Sequence, residues 1–429
     1  MSSSVATTPK ELKVSEMAEN LIGSEIIKLA GEINEKIKQG EKIFNLTIGD
    51  FNPQLFPIPT KLKNYIVDAY QNNETNYPPA DGILALRESV KHFIKKYAEL
   101  DYDTNEILIA GGARPIIYAI YQTLIDKDDV VVFPVPSWNN NHYTHLSYGK
   151  QVFLETSPEN NFMPTAAEIK PLLKGATLLS LCSPLNPTGT VFTKQNLEEI
   201  CDLVIEENKS RSADQKPLYL LYDQIYFTLT FGDTKHYTPT TLRPELRDYT
   251  IYVDGLSKAF AATGVRVGWS MGPKKIIDKM KSILGHVGAW APKAEQVASA
   301  NYLNEDNETE AFLKDIKNKV SDRLNAIYKG FSDLKAEGFS VDAISPQAAI
   351  YLTVKIDLSG KQNSDGTLLR TTKDVTSYVL NEAKIAMVPF SAFGASANSP
   401  WYRISVGTTK VEDIPEMINN LRLALQKLK

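Results

Sequence analysis

The sequence predicts an α/β protein: a three-layer, mostly parallel, seven-stranded sheet covered by helices, with a smaller α/β domain formed by both chain ends. Two observations carry this expectation. Beyond residue 106 the pattern becomes strand, loop, helix, repeated, with runs at Ile107–Ala110, Val130–Phe133, Gln151–Leu154, Thr177–Cys182, Leu218–Tyr222, Thr250–Val253 and Val265–Met271. Short aliphatic runs alternating with helical-period segments mark a parallel sheet whose crossovers are helices. Beyond residue 326 the runs are shorter (Ile350–Lys355, Ile385–Val388 and Tyr402–Val406) and lie among helices near Thr372–Glu382 and Val411–Leu428. The expected organisation is a disordered tail over residues 1–10, an N-terminal arm over 11–60 that also joins the small domain, a large domain over 61–325 and a small C-terminal domain over 326–429.

Taken in order, Ile26, Leu29, Ile33 and Ile37 recur at helical spacing and Gly40 follows as a stop, so an amphipathic helix over Ser24–Lys38 leads the fold. The β run Ile43–Ile48 ends at Gly49-Asp50, and Pro53, Pro57 and Pro59 keep the next segment extended or looped, where it could close over a site. A second helix through Tyr70 leads to the turn Asn76–Gly82, which puts the Tyr77 hydroxyl on irregular, exposed backbone; a plain surface tyrosine is the alternative. Helices are expected over Leu84–Tyr97, Ile116–Leu124, Lys274–Ser282 and Glu310–Phe331, the last long enough to bridge two domains, with a surface loop at Asn208–Lys216.

At 429 residues, with 43% hydrophobic and 23% charged residues, the chain can bury sizeable cores. Its 47 basic and 51 acidic residues give a net charge of −4 without blocks of like charge, so neither a nucleic acid nor a membrane is the expected partner; a small molecule is. Two cysteines without CxxC spacing and five histidines argue against a disulfide framework or a structural zinc site, and for a reducing cytoplasm. No run reaches the roughly 18 apolar residues of a membrane span.

Ligands on such sheets collect at the loops after the carboxyl ends of the strands. Those loops hold Gly111-Gly112-Ala113, Pro136-Ser137-Trp138, Asn186-Pro187-Thr188-Gly189, Asp223 and Lys258. Lys258 follows a β run and stands among Gly255, Ser257, Ala259, Ala261 and Ala262, which leave room for a flat ligand; it reads as an amine forming a Schiff base with a cofactor aldehyde, or else as a solvated charge. Gly111-Gly112-Ala113 opens a helix and can cradle a phosphate or make a tight turn, and Ser257 and Arg266 would add a hydroxyl and a bidentate cation to the same anion. Asp223 ends an apolar run, where a carboxylate needs a partner: a protonated ring nitrogen, or its own backbone as a helix cap. Tyr226 and Asn186 could bond a phenolic oxygen of that ring, and Trp138 could stack on it or plug a core edge. Arg403, in an apolar strand, requires a carboxylate, from a substrate or from an internal Asp or Glu.

From about Ile43 to the last helix, the set Asn186-Pro187-Thr188-Gly189, Asp223 with Tyr226, Ser257-Lys258 with Gly264 and Arg266, and Arg403 resembles the pyridoxal-phosphate aminotransferases of fold type I, the class I/II family that contains aspartate aminotransferase. The resemblance implies that Lys258 carries pyridoxal 5'-phosphate as an internal aldimine in the large domain. Asp223 would pair with the pyridine nitrogen, and Asn186 and Tyr226 with the ring oxygen. Trp138 would stack on the ring. Gly112, Ala113, Ser257 and Arg266 would hold the phosphate, and Arg403 the substrate α-carboxylate, helped by Asn186 and the Gly49 backbone. Tyr77 would reach the phosphate of a neighbouring subunit, which implies a homodimer with shared active sites. The implied activity is ping-pong transfer of an amino group between an amino acid, aspartate or a relative, and a 2-oxo acid such as 2-oxoglutarate.

Departures from the family pattern fall on the substrate side: Gln224 follows the aspartate, Val265 precedes the phosphate arginine, Asn141 stands three after Trp138, and Pro389-Phe390 and Pro346-Gln347-Ala348-Ala349 replace the usual turns. A cation for a distal carboxylate could be Arg114 or Lys293. The competing functions are a C–S lyase or decarboxylase on the same fold and a non-catalytic ligand sensor. No basic helix-turn-helix segment precedes Ser24, which weighs against the sensor.

Overall fold

Seven of the aliphatic runs become one sheet, in the order β1-β7-β6-β5-β4-β2-β3. The strands are β1 (Ile107–Ala110), β2 (Val130–Val135), β3 (Lys150–Glu155), β4 (Ala176–Cys182), β5 (Tyr219–Asp223), β6 (Thr250–Gly255) and β7 (Gly268–Met271). Only β7 runs antiparallel to its neighbours. The computed structural model describes residues 12–21 and 25–429; the tail expected over 1–10, the Ser24 helix start and the side chain of Ile26 lie outside the described residues.

Strands buried on both faces read as continuous apolar runs, because each alternate residue meets a different layer of helices. Leu108, Val131, Phe133, Leu178, Leu221 and Ile251 pack with the helices Ala113–Leu124 and Lys274–Val287. Ile109, Val132, Leu179, Leu220, Tyr222 and Tyr252 face the other way, into a core shared with Leu84–Ala98 and Lys194–Ser210.

A second, antiparallel sheet has the order β10-β11-β9-β8, built from β8 (Val341–Ala343), β9 (Tyr351–Ile356), β10 (Val388–Pro389) and β11 (Trp401–Ser405). Phe44–Asn45 pairs in parallel with Ile385–Ala386, so an early segment is stitched to a late one. The 31-residue helix Asp306–Ala336 passes unbroken through residues 325 and 326. It buries Leu313 in the core of the large sheet and Ile316, Val320, Leu324, Ile327 and Phe331 in that of the small one.

Three local expectations need correction. The run Val265–Met271 is not one strand: Thr263–Val265 is a 3-10 turn, Arg266 takes a left-handed φ of 58°, and β7 begins at Gly268. Arg266 donates to Thr263 O at 2.6 Å and to Gly111 O at 2.9 Å, so the turn aims the guanidinium across the sheet edge instead of extending the strand. The helix Lys293–Leu303 was not expected, because the side chains it buries include Ala294, Gln296, Ala298, Ser299 and Ala300, which leave little aliphatic period to read. Ile385–Val388 is two short strands rather than one. Among the described residues no helix is long and apolar enough to cross a membrane.

Candidate active site

The loops after β2, β4, β5 and β6 open on one cavity of about 690 Å³, between the large sheet and the small one. Its place follows from topology: the chain adds β3 on one side of β2 and β4 on the other, and the loops diverge where the strand order reverses. Lys258, Asp223, Asn186, Tyr226, Trp138, Ser257, Ala113, Arg266, Gly49 and Arg403 all line it. Gly112 stands directly behind Ala113, its φ of +98° suiting a residue without a side chain, and a Cβ there would collide with Arg266. Tyr77 does not reach this cavity; it is 81% exposed and packs edge-on against Trp290 at 5.2 Å.

One end of the cavity suits an anion. The helix Ala113–Leu124 starts there with its first amides unpaired by the helix, and Ser257 and the Arg266 guanidinium stand beside it. Gly268, opposite, cannot take a Cβ without striking the Gly112–Ala113 backbone, so this close approach belongs to the cradle itself.

Asp223 occupies the carboxyl end of β5 and lines the deep part of the cavity. Its Oδ1 accepts from Ile225 N at 3.0 Å, which is its only hydrogen bond among the described residues. Burial pushes its carboxyl up to about 6, against the Ile225 amide, which pulls it down. The group is half-buried because it faces the cavity, so this destabilisation is moderated by water there. A protonated ring nitrogen would supply the missing partner.

The sign of the pH effect follows. Below about pH 3.8 Asp223 is protonated in both folded and unfolded chains; between about 3.8 and 6 only the unfolded chain loses the proton, so stability falls as pH rises. The cofactor-free Asp223→Asn protein should lack this contribution. Denaturant midpoints of the two proteins, compared from pH 4 to 7, should diverge with the wild type falling behind; parallel curves would refute the assignment.

Lys258 sits in the short helix Leu256–Ala259 after β6 and donates to Gly49 O at 2.8 Å. Burial lowers its amine to about 8; Asp50 opposes this, while the cations Arg403, Arg114 and Arg266 assist it. An amine so placed is about half neutral near pH 8 and can accept a proton.

Arg403 is 2% exposed on β11. Its Nη1 donates to Asn186 Oδ1 at 3.2 Å and its Nη2 to Thr47 O at 2.6 Å, while its buried Nε has no partner. Among the described residues no carboxylate comes within ion-pair distance of it, so the internal Asp or Glu that could have satisfied it is not there. The guanidinium is instead framed by the rings of Tyr351 and Phe393, with its carbon 4.7 and 4.9 Å from their centroids.

Tyr226 shares a 2.6 Å hydrogen bond with Tyr351, a residue the sequence reading passed over because it sits in an ordinary strand. One of the two phenols donates to the other, leaving one proton for a ligand oxygen. Asn140, not Asn141, turns into the cavity: Asn141 is exposed, while Asn140 Oδ1 accepts from Ser180 at 2.9 Å and Tyr121 at 3.1 Å. Thr47, Asp50 and Cys182 also line the cavity without having been anticipated. Gln224 lies outside it, fully buried. The two candidate distal cations separate cleanly. Arg114 lines the cavity over the Trp138 ring at 5.4 Å, whereas Lys293 is committed to Glu74 at 2.8 Å and Asn76 at 2.6 Å outside it.

This arrangement, an amine, an arginine without a carboxylate and an anion cradle on one rim, agrees with the comparisons with known proteins. The profile of the family Aminotransferase class I and II matches residues 41–421. The chain belongs to the class I and II aminotransferases. The aspartate aminotransferase of Bacillus sp. (strain YM-2) is 28% identical over 404 residues, 93% of this chain and 96% of that one. The probable aspartate/prephenate aminotransferase of Rickettsia prowazekii (strain Madrid E) is 30% identical over 381 residues, 87% and 90% of the two chains. The crystal structure of the Rhizobium meliloti aspartate aminotransferase superposes with a TM-score of 0.88 at 25% identity, over 98% of this chain and 100% of that one. Enzymes of the class I and II aminotransferases depend in general on pyridoxal phosphate, and the cradle, the under-bonded Asp223 and the buried amine fit that group in charge and in hydrogen-bonding capacity.

Proposed function

We propose that this aminotransferase uses pyridoxal 5'-phosphate to exchange amino groups between a dicarboxylic amino acid, aspartate or a close relative, and a 2-oxo acid such as 2-oxoglutarate. The observation that carries the reading is Arg403, a buried guanidinium with no carboxylate in reach among the described residues, on the same cavity as the Lys258 amine. Bound there, pyridoxal phosphate supplies an aldehyde that captures the amino group and an electron-poor ring that takes up the electron pair left when the Cα proton departs.

The residues of the chain do the rest. Gly112, Ala113, Ser257 and Arg266 hold the phosphate, Asp223 holds the ring nitrogen protonated, Trp138 covers the ring, and Asn186 and Tyr226 serve its oxygen. Arg403 fixes the α-carboxylate bidentately, so the substrate Cα comes to rest near Lys258. The Lys258 amine, its hold on a proton weakened by burial and by surrounding arginines, takes the proton from Cα. The helix Glu25–Lys38 contributes Ala30 to the cavity wall and helps keep water out.

Arg114 is the distal cation of this reading. It should select for dicarboxylates, and Arg114→Gln should lower kcat/KM for aspartate by about 10- to 100-fold, the worth of one charge-assisted contact, while leaving alanine nearly unchanged. Equal losses on both substrates would remove Arg114 from that role. Tyr77, exposed beside Trp290, supports a homodimer in which it crosses to the partner's phosphate site, and the two unpaired cysteines suit a reducing cytoplasm.

The overall reading is tested by adding aspartate to the purified, cofactor-loaded protein and following the cofactor absorbance. Conversion to pyridoxamine phosphate, reversed by 2-oxoglutarate, is expected. Release of ammonia without that conversion would make the protein a lyase, and no spectral change with any amino acid would make it a sensor.

A further inference from the structure

A second cavity, of about 930 Å³, lies behind the first. The segment that follows β5 separates the two: Asp223, Ile225 and Tyr226 line the first, and Phe227 and Thr228 line the second. Its other walls are the end of the helix Leu84–Ala98, the start of Lys194–Ser210 and the first half of Asp306–Ala336.

Four lysines line the second cavity, three of them exposed at its rim. Lys194, Lys235, Lys314 and Lys317 line it, and none of them has a carboxylate within 4 Å among the described residues. Of its two acidic residues, Glu310 is taken by Lys96 at 2.7 Å, which leaves Glu99. Lys317 is half-buried and burial lowers its amine, a cost that a bound anion would offset.

The walls also hold two buried hydroxyls that can donate to an anion and have no partner among the described residues: Thr228 Oγ1 and Tyr97 OH. Buried polar groups normally find hydrogen bonds, and both hydroxyls could give one to a ligand held in the cavity. We propose that this cavity binds a small multivalent anion carrying phosphate or carboxylate groups, and that its occupancy alters catalysis through the Asp223–Thr228 segment.

The route is short. His236 Nε2 faces Gln224 Oε1 at 3.4 Å, and Gln224, next to Asp223, is fully buried with its Nε2 unpartnered. Phe227 N bonds Gln224 O, and Ala349 N bonds Leu229 O, tying the residue after Thr228 to the turn that leads into the strand carrying Tyr351. A ligand that draws Thr228 toward the lysines therefore pulls on backbone that positions Asp223 and Tyr226. Only this coupling rests on the proposed function; the binding site does not.

The test uses the cofactor-loaded protein, with pyrophosphate and citrate as separate probes and maleate present to fill the substrate cavity. Calorimetry should find one saturable site per chain for at least one probe, and the better probe identifies the phosphate or carboxylate source. In the Lys314→Gln/Lys317→Gln protein the Kd should rise about tenfold or more, as expected for lost hydrogen bonds to charged groups. Without maleate, the probe at about three times its wild-type Kd should change kcat/KM for aspartate severalfold in the wild type and far less in the double variant. Absence of saturable binding, wild-type affinity in the variant, or an unchanged kcat/KM would each overturn the proposal. Activity without probe, expected to be equal in both proteins, reports separately on the transaminase reading.

Discussion

Replacing Lys258 with alanine is expected to lower kcat for amino transfer by about 10⁴-fold, the upper end for a positioned acid–base group. The amine lines the cavity, donates to Gly49 O and is brought to about 8 by burial, so its loss removes the group assigned to move the Cα proton. Lys258→Arg should fare as badly, because a guanidinium keeps bulk and charge but cannot shed its proton below pH 12. Steady-state rates with aspartate and 2-oxoglutarate, alongside circular dichroism to show that the fold is intact, provide the measurement. A variant retaining a tenth of wild-type kcat would show that another residue is the base.

The second large effect falls on binding. Arg403→Lys should reduce kcat/KM by about 10²- to 10³-fold, within the roughly 2–5 kcal/mol lost when one partner of a buried charged pair is truncated. Lysine preserves the charge but not the fork. The Arg403 guanidinium spans Asn186 Oδ1 and Thr47 O while leaving Nε free, and a single ammonium cannot span those partners and still grip both carboxylate oxygens. Because every amino acid carries an α-carboxylate, aspartate and alanine should suffer alike, which distinguishes this variant from Arg114→Gln. A loss confined to aspartate would mean that Arg403 binds the distal carboxylate instead.

Much of this site was legible before any coordinates. Lys258, Asp223 and Asn186 each follow an aliphatic run, and ends of strands in a parallel sheet converge on one rim whatever the details of packing. The Tyr226 partner was not legible. Tyr351 lies in a strand of the other sheet, 125 residues away, with nothing local to mark it, and only the packing of the two sheets brings the phenols to 2.6 Å. Asn140 was missed in favour of Asn141 by one position, because the left-handed turn at Asn139 sets which side chain faces inward. The bend at Arg266 was hidden for the converse reason: its flanks read as strand, and the hydrogen bonds that break the strand go to carbonyls, one of them in a distant loop.

The amino-acid sequence by itself determined the fold class and named the candidate groups at the strand ends, because period, strand ends and functional groups are local properties of the chain. The tertiary structure alone decided what answers each group. It left Arg403 without a carboxylate among the described residues, put Arg114 in the cavity and Lys293 in a salt bridge, and placed a second, cationic cavity behind Asp223. Pairing and desolvation depend on residues far apart in sequence, and only folding brings these together.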